Sequence, residues 1–91
     1  MSRIDIRHPH QRPLKEARSK VESLARKIAE RFEVEYGWDG STLVFERSGV
    51  HGEIEVSRGE IHVVATLSFL LFALKGPIEA EIRRYLEAEF D

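Results

Sequence analysis

The feature that most constrains this chain is a change of hydrophobic period at Phe32. Before it, from Leu14 to Phe32, the apolar residues Leu14, Ala17, Val21, Leu24, Ala25, Ile28 and Phe32 recur at helical spacing and fall on one face. After it the period becomes two. Val34, Tyr36 and Trp38 alternate with Glu33, Glu35 and Gly37, and the same alternation returns at Leu43 and Phe45, at Ile54 and Val56, and from Ile61 to Leu67. Asp39-Gly40-Ser41, Ser48-Gly49-Val50-His51-Gly52 and Ser57-Arg58-Gly59 separate these runs. Turns this short join antiparallel neighbours, so the spacing predicts a four-stranded meander over residues 33–67, with Gly49 and Gly52 as hairpin residues.

The predicted sheet has two unlike faces. Tyr36, Trp38, Leu43, Phe45, Ile54, Val56, Ile61, Val63 and Leu67 share one; Glu35, Val44, Glu46, Glu53, Glu55, His62, Val64 and Thr66 share the other. A sheet that is apolar on one side needs helices on that side alone. Two are available: the 14–32 helix, and a second from Pro77 onward whose Ile78, Ile82, Tyr85, Leu86 and Phe90 share a face. Ile4 and Ile6 alternate with charged neighbours and add a short leading strand, broken by His8-Pro9-His10. The expected fold is a single α+β domain over residues 1–91, in the order β-α-β-β-β-β-α, with an antiparallel sheet and both helices packed on one face.

Composition agrees with a folded globule: 42% of the residues are hydrophobic and 33% charged. With no cysteine, neither a disulfide nor a thiolate metal site can staple so short a chain. No apolar stretch has signal-peptide or bilayer-spanning character, which makes the cytoplasm the expected location. Charge is uneven. Residues 1–31 carry +5 and the remainder −7, with the basic residues Lys20, Lys27 and Arg31 on one flank of the first helix's apolar stripe. Lys15, Arg18 and Arg26 lie on the other flank.

Candidate chemistry is sparse. His8, His10, His51 and His62 do not supply three or four ligands at zinc-like spacing, and they read as surface residues. Glu53 and Glu55 share an open strand face rather than opposing each other across a cleft. No nucleophile elbow and no phosphate-cradling glycine loop is present. No catalytic, cofactor-binding or metal-binding residue is therefore expected, and the chain reads as a non-enzyme. A nucleic-acid or ribosome-associated module using Arg3, Arg7, Arg12 and the first helix is the alternative. The acidic sheet face and acidic last helix make nucleic acid an unfavoured partner.

The most informative local run is Phe69-Leu70-Leu71-Phe72-Ala73-Leu74. Six consecutive apolar residues exceed what one face of a helix or strand can bury. Either the run lies wholly beneath the first helix, or Phe69, Leu70, Leu71, Phe72 and Leu74 form a seam for another chain, a second copy included, or for an apolar surface. Ser68 to Lys75 reads as a strand extension or as a short helix capped by Ser68. The helical reading is favoured because Leu71, Leu74 and Ile78 continue one face, with Gly76-Pro77 as the break.

Taken together, several segments resemble one family: Ile4-Asp5-Ile6-Arg7-His8-Pro9-His10, then Leu24-Ala25 and Arg31-Phe32, then the stretch from Trp38-Asp39-Gly40 through Phe45-Glu46-Arg47-Ser48-Gly49-Val50-His51-Gly52. The ending Leu67-Ser68-Phe69-Leu70-Leu71 with Lys75, Ile78-Glu79 and Ile82 belongs with them. They are similar to the polyhydroxyalkanoic acid system family, small bacterial proteins encoded near polyester storage-granule genes. Ser41 stands where an acidic residue is expected. The resemblance carries over no catalytic residue. It implies an accessory to polyester synthesis, granule formation or its control, with the granule surface or a granule-associated protein as partner.

Overall fold

A computed structural model describes residues 2–90. The chain runs through β1 (Ser2–Pro9), α1 (Leu14–Phe32), β2 (Glu35–Asp39), β3 (Thr42–Arg47), β4 (Val50–Ser57), β5 (Glu60–Leu67), a 3-10 helix (Phe69–Leu74) and α2 (Lys75–Phe90). The five strands form one antiparallel sheet in the order β1-β5-β4-β3-β2. The α+β order expected from the sequence is the order found.

Three two-residue loops build the meander, because the last paired residues are Asp39 with Thr42, Arg47 with Val50 and Ser57 with Glu60. This corrects the reading of Ser48 to Gly52 as one turn. Only Ser48 and Gly49 form the loop, and β4 starts at Val50. Gly52 is a strand residue opposite Phe45. A β-carbon on Gly52 would lie 2.1 Å from Phe45 Cζ, so the missing side chain is the space that holds a fully buried ring.

The leading strand is longer than its two isoleucines suggested. It reaches Pro9, which pairs with Glu60, and it takes the outer position beside β5. An edge strand tolerates proline because one row of its N–H groups has no ladder partner. Ile4 and Ile6 point into the core and Arg3, Asp5 and Arg7 out of it.

Helix α1 begins just after Pro13, whose carbonyl accepts from Ala17 N at 2.9 Å. Its buried stripe is Ala17, Val21, Leu24, Ala25, Ile28 and Phe32. It ends at Glu33, which adopts the left-handed conformation (φ 58°, ψ 43°) that usually falls to glycine. Arg47 Nη1 donates to the carbonyl of Phe32 at 2.8 Å and satisfies one of the helix's terminal acceptors.

Helix α2 starts at Lys75, two residues before the expected boundary, so Gly76-Pro77 does not break it. Proline fits there because the first turn's N–H groups have no intrahelical acceptor in any case. Ile78, Ile82, Leu86 and Phe90 bury against the same sheet face as α1, in one continuous core. Among the described residues, the other face of the sheet carries no helix.

Candidate functional site

The 69–74 run is helical, as favoured over a strand extension, but of the tighter 3-10 kind. A 3-10 helix has three residues per turn, so side chains three apart eclipse and form three rows. Leu71 and Leu74 make the inner row and pack against the core. Phe69 with Phe72, and Leu70 with Ala73, make the two outer rows. No residue of the segment is fully buried, which overturns the reading of complete burial under the first helix. Phe69 is 76% exposed, Leu70 86% and Phe72 57%. The two phenylalanine rings stack on each other with centroids 6.2 Å apart.

The seam is fastened to the β3–β4 loop. Ser68 N donates to Gly49 O at 2.8 Å, and Leu71 N donates to Ser68 O at 3.0 Å. Ser68 therefore holds the segment through its backbone, with no side-chain cap. Gly49 has φ 86°, and a β-carbon on it would stand 2.7 Å from Leu71 Cδ1 and 2.9 Å from Ser68 Oγ. Both its conformation and its lack of side chain are used. The Phe45-x-Arg47-x-Gly49-x-x-Gly52 stretch thus has a structural meaning at each position. Phe45 fills the space above Gly52, Arg47 closes the end of α1, and Gly49 seats the seam.

The family model for polyhydroxyalkanoic acid system proteins matches residues 4–90, almost the whole described chain. The chain belongs to the polyhydroxyalkanoic acid system protein family. Neither a curated protein nor a solved structure matches it, so the family model alone carries the comparison. The family is described by its place in the polyhydroxyalkanoic acid system, and that description names no activity.

In this family member the basic flank of α1 is occupied by α2. Lys20 Nζ lies 2.8 Å from Glu89 Oε1, and Arg31 Nη1 lies 3.3 Å from Glu81 Oε2. Lys27 Nζ sits over the Tyr85 ring, 5.1 Å from its centroid. Lys20 holds the Glu89 carboxyl below the usual glutamate range. All three partners lie on α2, some fifty to seventy residues away in sequence. Other cations are engaged as well. Arg3 faces Asp5, Arg7 faces Glu60, Arg12 faces Glu16, and Arg18 covers the Trp38 ring while donating to Gly40 O at 2.9 Å. Trp38 Nε1 in turn donates to Glu22 at 2.8 Å, so the tryptophan hairpin is riveted to α1.

The open sheet face carries Asp5, Glu35, Asp39, Glu46, Glu53, Glu55 and Glu60, with Arg3, Arg7, His51 and His62 among them. His51 lies between Glu46 (3.0 Å) and Glu53 (3.4 Å), and these carboxylates raise its pKa above the ordinary 6.5. His62 Nε2 lies 2.8 Å from Asp5, whose carboxyl is held below its usual range chiefly by that bond. Among the described residues no three His, Asp or Glu side chains converge as a metal centre would require.

One histidine departs from the surface reading. His10 is only 5% exposed, with Nε2 2.8 Å from Ser57 O, Nδ1 accepting from Arg12 N at 3.1 Å, and its ring edge-on to Phe90. Those contacts tie the β1–α1 connection to the β4–β5 end of the sheet. Among the described residues, no helix is long and apolar enough to cross a membrane.

Proposed function

We propose that this protein is a non-enzymatic accessory of polyhydroxyalkanoate storage that holds to the granule surface or to a granule-associated protein through Phe69, Leu70 and Phe72. One observation carries the reading. Three large apolar side chains stand in solvent on a segment whose other row is anchored to the core, where a free-standing domain would gain by burying them. The family relationship supplies the setting, polyester storage. The engagement of Lys20, Lys27 and Arg31 with α2 leaves the nucleic-acid alternative without its main cations.

A fluorescent fusion expressed in polyester-accumulating cells is expected to collect at granules and to travel with them through a density gradient. Leu70→Asp and Phe72→Asp should each release it, since both side chains are exposed and lie outside the buried core. A fusion that stays diffuse while granules form would end the proposal.

A further inference from the structure

The seam's dimensions and surroundings bear on what it touches. A stable protein–protein interface takes roughly 800 Å² from each partner and about 20–30 residues a side. The outward rows here amount to Phe69, Leu70, Phe72 and the small Ala73 on a single short helix. The adjoining depression is mixed in character, with Glu35, Glu46, Arg47 and His51 beside Gly49 and Val50. That is too little apolar area for a receptor of protein. It is also convex, with two of three rows facing solvent, whereas the side chains that dominate protein interfaces fill pockets.

An uncharged apolar phase makes neither demand. It needs no shape complementarity, and it takes up protruding side chains one by one at a gain proportional to their area. The seam is already in place for this. The Ser68–Gly49 hydrogen bond, the Leu71–Gly49 contact and the inner row of Leu71 and Leu74 fix it before any partner arrives, so little ordering entropy opposes binding. Charge narrows the choice further. Surfaces that bind anionic lipid headgroups surround their apolar residues with lysine and arginine. Here a single lysine, Lys75, follows the segment, while Glu35 and Glu46 line the adjoining depression and Arg47 beside them is committed to the Phe32 carbonyl.

We infer that the seam inserts directly into an uncharged apolar surface without a protein receptor, and that this surface is the storage polyester itself. The inference rests on the granule reading above, and its test separates the two. Purified full-length protein is mixed with protein-free particles of poly(3-hydroxybutyrate), with vesicles of phosphatidylcholine alone, and with vesicles of phosphatidylcholine and phosphatidylglycerol. Binding is measured by sedimentation at low and high salt.

The expected result is saturable binding to the polyester particles, no weaker in high salt and stronger than to either vesicle. Leu70→Asp and Phe72→Asp should each lower it about tenfold or more, with an unchanged thermal midpoint. Equal binding of wild type and Asp variants to the particles would overturn the inference. So would a preference for neutral vesicles, which identifies lipid, or salt-sensitive binding to the phosphatidylglycerol vesicles alone, which identifies charge. If wild type ignores the particles yet its fusion collects at native granules in a Leu70-dependent way, a protein receptor is at work. In that case the inference falls and the granule reading stands. If neither binding occurs, both fall.

Discussion

Replacing Gly52 by alanine tests whether the glycine-containing stretch after Trp38 is a packing device. The new β-carbon would lie 2.1, 2.4 and 2.6 Å from Cζ, Cε2 and Cε1 of Phe45, where ordinary contact is near 3.4–4 Å. The ring would have to retreat by more than an ångström, and Phe45 has no exposed surface through which to move. Overpacking of this kind costs about 1–3 kcal/mol. Alanine's lower unfolded-state entropy offsets about 0.4–1 kcal/mol of that. A net loss of about 1–2 kcal/mol corresponds to a urea midpoint lower by roughly 1 M. The same substitution in a Phe45→Leu background meets a smaller side chain, and its cost should fall by at least half. The assay is a double-mutant cycle of urea unfolding followed by Trp38 fluorescence. Equal cost in both backgrounds, or no cost in the first, would show that Phe45 does not occupy the space above Gly52.

Two further outcomes follow from local chemistry. Glu33 closes α1 at φ 58°, where a β-carbon costs about 1 kcal/mol, so Glu33→Gly should stabilise the protein by up to about that much; a lower thermal midpoint would contradict the assignment. His51 has a folded-state pKa raised by Glu46 and Glu53, so its contribution is complete below the unfolded value of 6.5 and is lost as pH rises through the folded value. Wild type should therefore lose slightly more stability than His51→Gln between about pH 6 and about pH 8. Parallel pH profiles would count against that bridge; the effect is small because all three side chains face solvent.

Much of the fold is written in local periodicity, and the parts that are not depend on residues far apart in sequence. The limits of α1 and the two faces of the sheet follow from spacing alone. Which strand β1 joins does not, because nothing in Ile4 to Arg7 distinguishes one sheet edge from the other. A glycine in a turn and a glycine in a strand look alike, and only Phe45 across the ladder settles Gly52. His10 sits in a proline-bounded stretch that resembles surface loop, but Ser57, Arg12 and Phe90 bury it. The apolar run at 69–74 announced itself by its length. Which of its side chains turn outward is decided by three-residue periodicity and by Gly49, twenty residues upstream. A sequence signal existed in the i,i+3 pairing of Leu71 with Leu74 and of Phe69 with Phe72.

We propose that exposed apolar side chains of the 69–74 segment hold this protein to polyester granules. The most direct measurement compares the fraction of protein that sediments with granules purified from cells expressing wild type, Leu70→Asp/Phe72→Asp or Leu70→Met/Phe72→Leu at matched levels. Apolar character, not side-chain identity, should decide the result. Wild type and the Met/Leu variant are expected in the granule fraction and the Asp variant in the supernatant, all three with the same thermal midpoint. Equal partition of the Asp variant and wild type would contradict the account.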